Sequence, residues 1–194
     1  MKRYLIGLSL AVTLVALPGL ALAHIGVDAG GHHGSGFEAG FGHPFTGLDH
    51  LCAMIAVGIW SAMTARRAWL APAAFAGMLG IGAVLGMGGL ALPVVEPVVA
   101  ASLLVIGLLV AARITLPAAA GLGLVGAFAL FHGFAHGTEL VGAAALAGML
   151  LGTMTLHASG IAIGLLLKSR DLMWSRALGS LVALIGVGLL SGAI

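Results

Sequence analysis

The chain is almost without charge. Of its 194 residues only 7% are Asp, Glu, Lys or Arg, where soluble globular domains carry about a quarter. There is a single cysteine, Cys52, so no internal disulfide can form and no site built on paired thiolates is available. Aromatic residues are sparse, with one tyrosine, and no basic patch is interleaved with them, which argues against nucleic acid as a partner. No G-x-x-x-x-G-K-[ST] sequence occurs, so an ATP-driven process run by this chain alone is not expected. What is present is apolar: 61% of residues are hydrophobic and the mean hydropathy is +1.19. The length allows one domain. A chain of this composition has the lipid bilayer as its solvent, and only helices or closed barrels satisfy their backbone there. The expectation is an all-α, polytopic membrane helix bundle.

Residues 1–23 have the layout of a cleaved signal peptide. Lys2 and Arg3 form the charged end, Leu5 to Leu17 the apolar core, and Ala21-Leu22-Ala23 a small-residue cleavage site. Cleavage leaves His24 as the mature amino terminus. Residues 24–42 are rich in Gly and His without apolar periodicity and read as an external arm. Residues 43–194 then form a transmembrane domain with six apolar segments, near 45–65, 69–91, 97–112, 116–137, 142–167 and 174–193. Each approaches the ~20 residues that cross a bilayer as a helix. Pro44, Pro72, Pro97 and Pro117 sit near segment starts, where proline sacrifices no helical hydrogen bond.

Charge placement orients the bundle. Beyond the signal peptide the cations are Arg66, Arg67, Arg113, Lys168, Arg170 and Arg176, all near the loops that follow the first, third and fifth segments. The opposite loops carry Glu96 and Glu139 without Lys or Arg. The positive-inside rule makes the first set cytoplasmic, so both mature termini are expected outside a bacterial cytoplasmic membrane. Glycine pairs at small-xxx-small spacing, Gly82/Gly86, Gly148/Gly152, Gly160/Gly164 and Gly188/Gly192, predict close helix crossings.

Against this apolar background the polar residues stand out. His43-Pro-Phe-Thr-Gly-Leu-Asp49-His50 runs into Met54 and Trp60 at the start of the first segment, and His132-Gly-Phe-Ala-His136-Gly-Thr-Glu139 ends the fourth. Ionisable side chains inside a membrane point to function, and imidazole with carboxylate is a ligand set for transition metals. With Pro44 near the first helical position, His43 is expected close to the N-cap. His43, His50 and Met54 then fall within about 40° on one helix face. His132, His136 and Glu139 share a face by the same arithmetic. Asp49 is turned by about 100°, a place for a ligand or for an acceptor of an imidazole N–H. Gly133 and Gly137 are read as loosening their turn and exposing carbonyls. Both clusters lie in the external third of the membrane. His157 in the fifth segment is either a deeper station or an interhelical hydrogen bonder. Met54 is a ligand or packing, and Trp60 packing or an interface anchor. His24, with His32 and His33, either collects metal for the pore or is an ordinary polar part of the arm.

The motifs His43-Pro-x-x-Gly-x-Asp49-His50 with Met54 and Trp60, Phe131-His132-Gly-x-Ala-His136-Gly-x-Glu139, and Thr155-Leu-His157 with Gly160 resemble those of the HupE/UreJ family of nickel permeases, associated with hydrogenase and urease maturation. The resemblance covers nearly the whole mature chain, although the Gly/His stretch at 30–36 has no counterpart in the family pattern. It implies that Ni²⁺, or Co²⁺ as in some relatives, is the transported substrate and moves inward, with no permanent cofactor. It also implies functional roles for His43, Asp49, His50, His132, His136 and Glu139. The partners expected are the divalent ion, the bilayer, nickel-enzyme maturation and, as an open option, a second copy of the chain. Two rival readings stand beside the permease. An intramembrane zinc hydrolase would use three histidines, an aspartate and an open coordination position to activate water. A metal sensor or chaperone would bind the ion without moving it.

Overall fold

The computed structural model describes residues 36–90, 92–140 and 142–194. The signal-peptide expectation for 1–23 and the metal-collecting reading of His24, His32 and His33 lie outside the described residues. Within them the chain is all-helical: α1 (Phe37–Thr46), α2 (Leu48–Thr64), α3 (Leu70–Met87), α4 (Val95–Ala111), α5 (Ala118–Glu139), α6 (Ala143–Lys168) and α7 (Leu172–Ser191). α3, α5, α6 and α7 are each long and apolar enough to cross a membrane. α1 and α2 pass that test together but are bent by 83° at their junction, and α4 is a shorter apolar helix. The outer faces suit lipid and not water. Leu166 and Leu184, for example, are 67% and 66% exposed.

Two expectations about the amino-terminal region are corrected. Residues 37–42 belong to α1 and not to an arm. Phe37, Phe41 and Phe45 recur at i, i+4 and i+8, and their rings touch successively, with centroids 6.3 and 5.5 Å apart. On the same helix Gly40 packs against the backbone of Ala145, and Gly148 of α6 against that of Phe37. Second, Pro44 lies inside α1 and His43 in its last turn, so His43 is no N-cap. The chain turns at Gly47, whose backbone is extended (φ −84, ψ 123), and His43 and His50 do not share one continuous helix face. Pro72 and Pro97, by contrast, lie in first turns and Pro117 caps α5, as the spacing predicts.

Helices pair by backbone approach. A Cβ on Gly58 of α2 would meet the His157 carbonyl of α6 at 2.5 Å, and one on Gly86 of α3 would meet the Phe134 carbonyl of α5 at 2.6 Å. Gly107 and Gly179 bring α4 and α7 together in the same way. Small residues of this kind let helices associate by van der Waals contact where lipid supplies no hydrophobic drive. The pairs Gly82/Gly86, Gly148/Gly152 and Gly160/Gly164 all lie at such crossings. Gly188/Gly192 does not: Gly188 faces Ile194 of its own terminus, and Gly192 caps α7 at φ 68, a left-handed conformation that ends helices.

At the end of the bundle that carries the cations, Arg113 acts as a tie. Its Nε donates to Ser175 Oγ at 2.9 Å, and its Nη2 donates to the carbonyls of Leu167 and Arg170 at 2.8 and 3.0 Å. The α4–α5 and α6–α7 loops therefore sit at the same end. Arg113→Ala removes charge-assisted bonds to carbonyls in the turn ending α6. The expected loss is about 1.5–3 kcal/mol, read as a lower thermal midpoint in detergent. An unchanged midpoint would show that the tie is slack.

Candidate metal centre

The histidines of both sequence motifs come together on one line. At its more exposed end Glu139, the last residue of α5, places Oε2 2.8 Å from His43 Nε2, with side chains 41% and 20% exposed. His43, His136 and Glu139 offer ligand atoms that all lie within 4.8 Å of one another. Two imidazoles and a carboxylate at that spacing are enough to surround one divalent ion. The line then passes inward ring to ring. Centroids are 4.6 Å apart for His43 and His136, 4.0 Å for His136 and His50, and 4.7 Å for His50 and His132. Phe75 of α3 continues it, at 5.6 Å from His132 and 4.9 Å from His157. His50, His132, His136 and His157 are all buried.

Each position has a local cause. Gly133 and Gly137 sit one residue beyond His132 and His136 and press against the backbones of Leu79 and Ala83 in α3. They do not loosen the turn, which corrects the expectation of exposed carbonyls. They hold α5 close to α3, which turns the two histidines toward α1 and α2. On α2, Asp49 Oδ1 accepts from the His50 backbone N–H at 2.8 Å and lies 2.9 Å from His50 Nδ1. In that geometry the carboxylate orients the ring from behind, as acidic partners of metal-bound imidazoles do. His157 Nδ1 lies 2.7 Å from the Met54 carbonyl oxygen. A carbonyl only accepts, so His157 carries its proton there and presents Nε2 as the lone pair. That nitrogen and the Thr153 hydroxyl one turn earlier are buried without a hydrogen-bond partner among the described residues.

The structure thus brings together His43, His136 and Glu139 as one compact group, with His50 and His132 next along the line. It separates two other candidates from that group. Asp49 stands behind His50, and Met54 is wholly buried in the apolar core, joining the network through its main-chain carbonyl. Two participants have no motif to announce them. Phe75 reads in sequence as one more apolar residue. Ser102 of α4, whose Oγ is 2.9 Å from His132 Nε2, is an isolated hydroxyl in an apolar run, and that isolation is its only signal. Trp60 is an anchor, donating through Nε1 to the Ile114 carbonyl at 2.9 Å.

The family model described as HupE / UreJ protein matches residues 11–189. A Rhizobium leguminosarum bv. viciae protein named Protein HupE is 41% identical over 184 residues, covering 92% of this chain and 94% of that protein. No solved structure matches. The chain belongs to the HupE/UreJ family.

Proposed function

Starting from membership of this family, we propose that the protein carries a divalent transition-metal ion inward across the bacterial cytoplasmic membrane, with Ni²⁺ as first substrate and Co²⁺ as second. The observation that carries the reading is the line of rings from the partly exposed Glu139–His43 pair through His136, His50 and His132, with Phe75 standing between His132 and the buried His157. Ligands spread over depth suit a route, whereas a hydrolase needs them gathered at one zinc with a place for its scissile bond. Imidazole and carboxylate suit Ni²⁺ and Co²⁺. In this reading the bent α1–α2 pair and the 17-residue α4 count as spans, which makes six. α4 is then about 25 Å long at 1.5 Å per residue and crosses with little tilt. Residues 1–23 are removed as a signal peptide, and the His43–Glu139 end faces outward.

Membrane potential supplies enough drive. A dication gains about 4.6 kcal/mol per 100 mV, on the order of a thousandfold accumulation. The test is uptake of Ni²⁺, Co²⁺ and Zn²⁺ into proteoliposomes with an inside-negative potential. Potential-dependent, saturable Ni²⁺ flux supports the reading. Stoichiometric binding without flux would make the protein a sensor or chaperone.

The orientation has its own test. With Cys52 replaced by serine, a cysteine at Ala193 is expected to react with an impermeant thiol reagent in intact cells, and one at Ser169 only after lysis. The reverse pattern would overturn the six-span topology.

A further inference from the structure

We propose that Ser102 is the positioning residue of His132, holding that ring in the Nε2–H tautomer so that its Nδ1 lone pair is what the ion meets. The inference builds on the transport reading above, and it starts from a single proton. Ser102 Oγ lies 2.6 Å from the Val99 carbonyl oxygen, a separation normal for O–H···O and repulsive for two oxygens with no hydrogen between them. The hydroxyl has one hydrogen, and it is used there. Toward His132 Nε2, 2.9 Å away, Ser102 can therefore only accept. His132 Nε2 must carry the proton, and Nδ1 is bare. That Nδ1 is buried and has no hydrogen-bond partner among the described residues, on a ring that is fully buried and stands 4.7 Å from the His50 ring.

The arrangement is the reverse of its neighbours. His50 and His157 have Nδ1 against a carboxylate and a carbonyl, which leaves Nε2 as their ligating nitrogen. His132 alone among these three has its ε nitrogen occupied. Without Ser102 nothing else described here holds the ε proton, and the ring can adopt the other tautomer. An N–H would then replace the lone pair at the place the ion approaches, and that fraction of the protein would be unable to bind.

The test uses the full chain in lipid nanodiscs, labelled with ¹⁵N-histidine, with the His132 signal assigned by its disappearance in His132→Asn. The wild type is expected to show a protonated Nε2 and a bare Nδ1 at His132. Ser102→Thr keeps that pattern, and Ser102→Ala loses it. Ni²⁺ binding by titration calorimetry is expected to weaken about 10–100-fold in Ser102→Ala, the usual consequence of removing a group behind a ligating histidine. Ser102→Thr is expected to bind as the wild type does. In uptake assays the alanine variant raises half-saturation more than it lowers the maximal rate. A protonated Nδ1 in the wild type would overturn the proposal, as would an alanine variant with unchanged tautomer and affinity. Should Ser102→Ala not fold, the wild-type and threonine spectra decide. Failure of the permease reading would look different: bound Ni²⁺ and no flux in the wild type, with the tautomer result still standing.

Discussion

Replacing His50 or His132 with alanine is expected to abolish Ni²⁺ uptake while leaving a folded protein in the membrane. Both rings are buried, and they touch each other in the middle of the histidine line. Removing either opens a gap between the outer group of His43, His136 and Glu139 and the deeper His157. A partly dehydrated dication then loses one imidazole of that line, and an uncompensated ion in low dielectric is very costly. A histidine kept for packing behaves in the opposite way, since its loss lowers stability and spares flux. The measurement is radionickel uptake beside a thermal melt of the purified variant. Normal uptake by a well-folded His50→Ala protein would remove the line from the mechanism.

The second large effect is electrostatic. Asp49 and Glu139 are the acids of the two motifs, one behind His50 and the other against His43, and together they would balance a 2+ charge. Glu139→Gln keeps the shape of a ligand but leaves one positive charge uncancelled on the loaded site. It is expected to weaken Ni²⁺ affinity by at least about tenfold, near 1.4 kcal/mol. Asp49→Asn can still accept from the His50 ring, and its effect is expected to be similar because the charge is lost rather than the contact. Wild-type affinity in both single variants and in the double variant would show that the charge is balanced elsewhere.

The sequence carried the polar line better than it carried the chain's path to it. Residues such as His136 and Glu139 are conspicuous because the surrounding segment is mostly apolar, and helical spacing groups them without any structure. The helix limits also follow closely from where apolar runs stop. The turn at Gly47 was not legible in the same way. Pro44 normally marks a helix start, and here it lies within α1, because the phenylalanine stripe and Gly40 anchor α1 on α6 before the proline is reached. Glycine density at 30–42 hides that stripe. Gly133 and Gly137 were misread for a related reason: whether a glycine loosens a turn or admits another backbone depends on what stands opposite, and sequence does not say. Ser102 is legible only once Val99 and His132 are seen on either side of its oxygen.

The glycine contacts have a mechanical consequence. α2 with α6, α3 with α5, and α4 with α7 meet backbone to backbone, so sliding within any pair runs into main-chain atoms. Each pair is in effect one stiff strut. The imidazole line crosses between struts, since His50 belongs to the first, His132 and His136 to the second, and Ser102 to the third. A shift of one strut past another changes the His50–His132 and Ser102–His132 separations while every glycine crossing stays intact. The seams between struts, rather than any single helix, are where this bundle can yield.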